Sequence, residues 1–289
     1  MNQLIQDYQE YIINQGLSIK TSKNYTYDVK TFHKWLKSKD SNLKTFNRYH
    51  ILKYLEYMNS NLKTSTINKK INSLFSFNNY LIEIGIKENL VIFNDKDRVK
   101  TATTAKQVDV FTKSEQEHLL FHLHKDDVNI RVKAVTLLLL YSGIRASELI
   151  NIRLKDIDYL LNELTIIGKG NKKRVIPLKS IVTKAIKEYI SEERIKSKYA
   201  KDSDFLFVTE RAAKPSRDTV RLWIKPLENV IDAKIYPHKF RHSLATNLIN
   251  KGVEISTVAA ILGHSDIQTT IDFYVNISKE NKEKAIGKL

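Results

Sequence analysis

The chain has 289 residues, of which 42% are hydrophobic, and this length and composition predict two domains with cores of their own. It lacks cysteine, a recognisable signal peptide and an apolar run long enough to cross a bilayer, so disulfides, thiolate metal sites and a membrane partner are excluded and we expect a cytoplasmic protein. The net charge of +16, carried by both halves, favours a long polyanion such as nucleic acid as partner, although a lysine-rich surface also serves solubility.

Residues 1–93 predict a bundle of four helices. Apolar side chains recur at the spacing of one helix face in four successive segments, and Gly16 and Gly85 stand where the first and fourth would end. Lysines near the predicted helix starts are candidates for DNA phosphate contacts, because a helix start also offers amide donors. Each alone is more often an ordinary surface residue. The candidates are Lys20, Lys23, Lys63, Lys69 and Lys70.

A polar segment without periodicity, residues 94–108, predicts a linker to a second domain at residues 109–289. The second domain opens with Thr112 and Glu115 in the pattern of a helix capping box. His118 and His122 follow four residues apart and could chelate a metal, but no further ligand stands at a convincing spacing. We therefore expect neither a metal nor a cofactor.

An apolar helix predicted over residues 132–141 leads to the first candidate for the chemistry. Gly143 ends that helix, and Arg145 falls in the turn before the next one. An arginine held by rigid backbone can present its planar fork to a phosphate, and Glu148, three residues on, can orient it. Taken alone, the two residues would more often form an ordinary surface ion pair.

Residues 155–178 change to the period of strands. Three short strands are predicted, and residues 168–171 form the hairpin turn between the second and third. Lys169 at its tip can reach into a groove, although on this pattern alone an exposed turn lysine is favoured. With helices before and after, the sequence predicts a mainly α fold with a small antiparallel β-sheet (α+β).

Three basic residues, Arg217, Arg221 and Lys225, recur along one side of a helix predicted over residues 216–231. Such a stripe can lie in the major groove or along phosphates. A solvated basic face accounts for it equally well.

Residues 238–274 carry polar groups suited to phosphate chemistry within an otherwise apolar sequence. His238 and Arg241 are three apart and share a helix face. Gly263 follows an apolar run and can end a helix, which places His264 in a turn. Tyr274 comes ten residues later. A histidine, an arginine, a second histidine and a tyrosine hydroxyl can together bind a phosphodiester and attack it.

The ordered set resembles the active-site signature of the tyrosine recombinase (phage integrase) family. The positions that match, in order, are Arg145, Lys169, His238, Arg241, His264 and Tyr274. The likeness covers nearly the whole chain, and it implies an N-terminal helical core-binding domain and a C-terminal catalytic domain. Because the four-helix unit comes first, the chain looks like the shorter, Xer-type members. Asn276 departs from many relatives, which have histidine there.

The resemblance implies a role for each matched residue. Tyr274 would attack the scissile phosphate and form a 3′-phosphotyrosyl link, while Arg145 and Arg241 bind the non-bridging oxygens. His264 would add a hydrogen bond to that charge, His238 would exchange a proton with the tyrosine, and Lys169 would protonate the leaving 5′ oxygen. Neither a metal nor ATP would be needed.

The resemblance also implies partners. One is double-stranded DNA with paired recombinase-binding sites. The other is further copies of the chain, which would form a homotetramer in synapsis coupled by residues 278–289. The charged sequence of that segment is equally typical of a frayed C-terminal tail. Two rival functions stay open at this point. A type IB topoisomerase uses similar tyrosine chemistry, and a non-catalytic sequence-specific DNA-binding protein explains the charge and helices but not the six matched residue types.

Overall fold

The computed structural model describes residues 3–100, 108–168 and 172–263. Lys169, His264, Tyr274 and the predicted tail at residues 278–289 lie outside the described residues. The chain divides into two compact units, Met1–Thr104 and Ala105–Leu289. This division falls inside the segment predicted as a linker, and the domain limits themselves stay a prediction.

The first unit contains the four helices predicted from the apolar spacing. They are α1 (Gln3–Asn14), α2 (Ile19–Lys37), α3 (Arg48–Asn61) and α4 (Thr64–Glu83). Ser18 caps α2 by accepting a hydrogen bond from the Thr21 amide. Phe32 lies in the core, where its ring is 5.3 Å from that of Phe46 and 4.9 Å from that of Tyr54.

One predicted DNA contact is placed differently by this core. The Lys70 ammonium lies 2.9 Å from Asp28 Oδ1, and the hydroxyl of Ser73 donates to the other oxygen of the same carboxylate. The side chains of Lys70 and Asp28 are 11% and 8% exposed. A lysine committed to a buried pair gains little by turning to a phosphate, because the carboxylate would be left without its partner. Lys70 is therefore a buried residue of the helical unit, where the sequence predicted a surface contact with DNA.

The first part of the predicted linker is held against the first unit. Asp97 is buried and accepts two hydrogen bonds from the Arg48 guanidinium, at 2.6 and 2.5 Å. Asn68 exchanges hydrogen bonds with the backbone of Val99 in both directions at 3.0 Å. Residues up to 99 thus belong structurally to the helical unit. The polar and charged residues that predicted a linker here include Asp97, which makes specific contacts with that unit.

The second unit combines helices with a small sheet. The helices are α5 (Lys113–Leu123), α6 (Ile130–Ser142), α7 (Ala146–Leu149), α8 (Ser180–Glu188), α9 (Arg217–Ile224), α10 (Glu228–Ile231), α11 (Pro237–Asn250) and α12 (Ile255–Leu262). The predicted capping box of Thr112 and Glu115 is present at the start of α5. Helix α6 is buried along most of its length and packs against α8, α9 and α11, which explains its almost continuous apolar sequence.

The sheet has three antiparallel strands in chain order: β1 (Ile157–Asp158), β2 (Glu163–Ile167) and β3 (Lys173–Pro177). Leu164 pairs with Ile176, and both side chains face the core. The predicted fold class, mainly α with a small antiparallel sheet, is confirmed by this arrangement.

The helix predicted over residues 216–231 is interrupted. Helix α9 ends at Ile224, a 3₁₀ turn covers Lys225–Leu227, and α10 follows. Pro226 explains the break, because it lacks the N–H that an α-helix interior requires. Lys225 therefore lies at the C-terminal cap of α9, while Arg217 and Arg221 lie on the helix proper.

Candidate active site

Arg145 is fixed by the backbone on which it stands. Helix α6 ends at Gly143 in the left-handed conformation, with φ of 59°. A Cβ at this glycine would lie 2.8 Å from Leu262 Cδ2 and 2.9 Å from Leu244 Cδ2, so both the conformation and the packing require glycine. Arg145 follows as the N-cap of α7. Arg145 thus lies just after a turn that follows α6 and packs against α11 and α12.

Glu148 is the centre of the site's hydrogen bonds. Its carboxylate, 7% exposed, accepts from the backbone N–H of Arg145 at 2.8 Å and from Arg145 Nη1 at 2.9 Å. It also accepts two hydrogen bonds from Arg174, each of 3.0 Å. Burial alone would raise the pKa of Glu148, but the hydrogen bonds from Arg174 and Arg145 outweigh burial and lower it. The carboxylate is therefore ionised at neutral pH.

Arg241 is a buried cation with one unsatisfied donor. Only 4% of the residue is exposed, and its Nη1 donates to the carbonyl oxygen of Gly143 at 2.8 Å. Its Nη2 is buried and has no hydrogen-bond partner among the described residues. Burial and the nearby charge of Arg145 lower its pKa to about 9, which still leaves it charged at neutral pH. A buried donor on a charged group is costly unless an acceptor meets it, so the geometry calls for an anion here.

Helix α11, which carries Arg241, is anchored at its first turn. The Lys239 ammonium is buried, lies 3.1 Å from Asp109 Oδ1 and stands over the ring of Phe111. The hydroxyl of Tyr236 donates to the other oxygen of Asp109 at 2.7 Å. The hydroxyl of Ser243 accepts from the amide of Phe111 at 2.8 Å. These contacts fix the rotation of the helix, and with it the direction in which Arg241 points.

His238 lies in the first turn of α11 beside the two arginines. Its pKa is lowered by burial first and then by the charges of Arg241 and Arg145, with a further contribution from Arg221. The ring of His242 is 6.1 Å away, centroid to centroid. An imidazole kept neutral at pH 7 can accept a proton from an attacking hydroxyl. The charge of Arg221, on α9, thus also acts on His238.

The structure adds Arg174, a residue that the sequence analysis missed. It lies on β3, on the same face as the buried Ile176, and its side chain is only 14% exposed. Besides binding Glu148, it donates from Nε to the carbonyl of Ile261 at 3.1 Å. The signal was available in the sequence, because alternation along this strand puts a charged residue on the inward face, which requires a buried partner.

Of the six residues matched by the resemblance, the structure brings together three, Arg145, His238 and Arg241, with Glu148 supporting the first. The other three, Lys169, His264 and Tyr274, lie outside the described residues. Two described glycines directly precede two of them in the chain. A Cβ on Gly168 would lie 3.9 Å from Arg174 Nη1, and one on Gly263 would lie 2.6 Å from the same atom.

The remaining candidate residues are surface residues in the structure. Lys20, Lys23, Lys63, Lys69, Arg217, Arg221 and Lys225 are all exposed. Arg221 also lies 3.3 Å from Asp218 in an exposed pair that salt and solvent weaken. Within the described ranges, no three histidine, acidic or cysteine side chains are grouped as a metal site would require. In that same part of the chain, no helix has the length and apolar character to cross a membrane.

Comparisons with known proteins fit this geometry. The family model described as "Phage integrase family" matches residues 109–281, and "Phage integrase, N-terminal SAM-like domain" matches residues 5–85. TnP I resolvase of Bacillus thuringiensis is 34% identical over 276 residues, covering 93% of each chain. Tyrosine recombinase XerC of Staphylococcus aureus (strain JH9) is 31% identical over 277 residues, covering 94% of this chain and 91% of that protein.

A solved structure shares the fold. The XerH site-specific recombinase, in a post-cleavage complex with palindromic difH substrate, superposes with a TM-score of 0.77 at 19% identity. The likeness covers 94% of this chain and 80% of that one. It therefore extends over both compact units.

Proposed function

Because the chain belongs to the phage integrase family, we propose that it cuts and rejoins DNA strands at specific sites through a covalent link to Tyr274. The observation that carries the proposal is the buried Arg241, whose Nη2 has no acceptor among the described residues. A phosphodiester oxygen supplies the missing acceptor and a negative charge together. Membership of the tyrosine recombinase family, predicted from the sequence and confirmed by the comparisons, implies DNA cleavage and rejoining.

Two arginines bind the scissile phosphate in this proposal. Arg145 is one-third exposed and keeps N–H donors beyond those given to Glu148 and Gly263. Arg241 approaches from α11 with Nη2, which has no acceptor among the described residues. During attack the negative charge on the non-bridging oxygens grows, and fixed donors that need no reorganisation stabilise the transition state more than the ground state.

Tyr274 is the proposed nucleophile. A free phenol has a pKa of about 10, so its proton must be removed for attack at neutral pH. His238, held neutral by its lowered pKa, accepts that proton. The bond from phosphorus to the tyrosine oxygen forms as the bond to the 5′ oxygen breaks, and Lys169 donates a proton to that leaving oxygen. His264 donates a further hydrogen bond to the phosphate.

The covalent intermediate stores the energy of the broken phosphodiester. A 5′-hydroxyl from another strand then attacks the phosphotyrosyl link, and the tyrosine leaves with its proton restored. Arginine and lysine provide the positive charge that metal ions provide in other phosphoryl-transfer sites. We therefore propose that the reaction proceeds in EDTA and without a nucleotide, in keeping with the prediction that no metal or cofactor is needed.

Exposed basic residues form the proposed DNA interface. In the first unit these are Lys20, Lys23, Lys63 and Lys69, and Lys63 is the N-cap of α4 without a side-chain cap, so the amides there are open to a phosphate. In the second unit they are Arg217, Arg221 and Lys225, and of these three Arg221 acts electrostatically on His238. We propose duplex DNA with paired sites as the substrate and a tetramer in synapsis, joined through residues 278–289. The cytoplasmic location stays a prediction.

A suicide DNA substrate with a nick beside the crossover tests the proposal. The nicked fragment diffuses away after cleavage, so a covalent protein–DNA adduct accumulates. We expect the adduct with the wild type, in EDTA, and none with Tyr274→Phe, which should bind DNA as the wild type does. Tyr49→Phe, at an exposed tyrosine on α3, is the control and should cleave normally.

Each contrary result has its own meaning. An adduct formed by Tyr274→Phe would refute the nucleophile, and a wild type that binds without any adduct would indicate a non-catalytic DNA-binding protein. Relaxation of any supercoiled DNA, without pairing of two specific sites, would favour the topoisomerase.

A further inference from the structure

Arg174 lies within a closed ring of hydrogen bonds in the second unit. Its Nη1 and Nη2 bind the two oxygens of Glu148 at 3.0 Å each, and Glu148 binds Arg145. Arg145 Nη2 donates to the carbonyl of Gly263 at 3.2 Å. Arg174 Nε donates to the carbonyl of Ile261 at 3.1 Å, and the backbone between Ile261 and Gly263 completes the ring. The ring joins α7, β3 and the C-terminal end of α12.

The donors of Arg174 point inward. All three of its nitrogens have a protein acceptor, and its side chain is 14% exposed, whereas that of Arg145 is 34% exposed. Arg174 thus has little capacity to bind a phosphate itself. Its bidentate grip instead fixes the plane of the Glu148 carboxylate, and that plane sets the direction of the Arg145 guanidinium.

We infer that Arg174 is a positioning residue for DNA cleavage: through Glu148 it holds Arg145 in the orientation that binds the scissile phosphate. The inference rests on the proposed function and adds to it a residue outside the six matched positions. The planar fork of arginine is essential to this role, because two parallel hydrogen bonds define an orientation and a single ammonium contact does not.

The position of Arg174 extends its reach. It lies on β3, which follows Lys169 in the chain, and a Cβ on Gly263, the residue before His264, would lie 2.6 Å from its Nη1. Glycine at position 263, where φ is 66°, is what allows the guanidinium to approach α12 so closely. Arg174 therefore links β3 to the C-terminal end of α12, which precedes Gly263 and His264 in the chain.

Arg174→Lys provides the test, because it keeps the positive charge and removes the two-pronged contact. We expect the single-turnover rate of adduct formation on the nicked substrate to fall at least tenfold, while the Kd for the DNA site changes less than twofold. Arg131→Lys is the matched control. Arg131 also pairs with a glutamate, Glu193, is 18% exposed and belongs to the same unit, but contacts no member of the ring. It should cleave at the wild-type rate.

A double-mutant cycle with Glu148→Gln shows whether Arg174 acts through Glu148. Residues that act through one another are not additive, so the double variant should cleave no more slowly than Glu148→Gln alone. A cleavage rate for Arg174→Lys within twofold of the wild type would overturn the inference, and so would additive losses in the cycle. A fall in DNA affinity as large as the fall in cleavage rate would show a merely structural role, because a damaged fold weakens binding as well as cleavage. If the wild type itself forms no adduct, the proposed function fails, and this inference fails with it.

Discussion

Replacing Glu148 with glutamine perturbs the site at the one carboxylate that two arginines share. The carboxylate accepts four hydrogen bonds, two from Arg145 and two from Arg174. An isosteric amide keeps one oxygen acceptor and turns an NH₂ group toward the other two donors, so two charge-assisted hydrogen bonds are lost. At about 1.5–3 kcal/mol each this amounts to roughly 3–6 kcal/mol.

Solvent reduces that figure, because the Arg145 side chain is one-third exposed and recovers part of its hydration. We therefore expect the lower end, about 3 kcal/mol, which agrees with the cost of breaking a buried ion pair. For a unit of this size such a change lowers Tm by roughly 6–12 °C. We also expect cleavage to slow more than tenfold, because Arg145 loses the anion that orients it.

Differential scanning calorimetry measures the change in Tm, and the nicked-substrate assay measures the cleavage rate. Glu193→Gln is the control: Glu193 accepts from the backbone N–H of Arg131, forms an ion pair with its guanidinium at 3.3 Å and is 25% exposed, so its loss should cost less and leave cleavage unchanged. A decrease in Tm below about 3 °C for Glu148→Gln would refute the estimate, since it corresponds to about 1 kcal/mol. Cleavage at the wild-type rate would refute the orienting role.

The pKa of Glu148 determines how the difference in Tm between the wild type and Glu148→Gln depends on pH. Its pKa in the folded protein is lowered, so its contribution is fully present above the ordinary value of 4.5 and is lost as pH falls through the lower folded value. The gap in Tm between wild type and Glu148→Gln should therefore be constant near neutral pH and close only on acidification below pH 4.5.

Two further predictions concern other residues of the site. The pKa of His238 is lowered from 6.5 by burial, Arg241 and Arg145, so the cleavage rate should decrease on acidification only below pH 6.5; an acid limb at or above that value would contradict a neutral His238. Gly263→Ala forces a Cβ to within 2.6 Å of a guanidinium held by three hydrogen bonds and strains a residue at φ 66°, so we expect cleavage to slow as in Arg174→Lys and the unfolding free energy to fall by about 1–2 kcal/mol. Gly252→Ala, which is at φ 79° with open space around it, carries the strain without the contact and should cleave normally.

Local spacing was sufficient to predict some of the site and most of the first unit. The helices α1 to α4 follow from apolar residues repeated at one helix face, and Glu148 binds Arg145 from three residues away, where helical geometry brings them together. The inward-facing Arg174 was missed because its partners lie 26 and 87 residues away in sequence. Lys70 was assigned to the surface for the same reason, since Asp28 is 42 residues distant.

The three arginines of the site share a kind of partner that no side-chain pattern reveals. Helices α6 and α12 both end in a glycine with left-handed φ, and each offers carbonyl oxygens to side-chain donors at the negative end of the helix dipole. Gly143 offers its carbonyl to Arg241, and the end of α12 offers two, one to Arg174 and one to Arg145.

These backbone acceptors orient the guanidinium groups without cancelling their charge. Among the hydrogen bonds of the described residues, Glu148 is the one carboxylate that meets this trio of cations, so the cluster keeps a net positive charge. A second carboxylate would hold the arginines equally well but would leave less attraction for a phosphate, whose own charge rises during attack. Helix ends in place of acidic side chains thus orient the arginines and leave their charge available to an anion, as the proposed binding of the scissile phosphate requires.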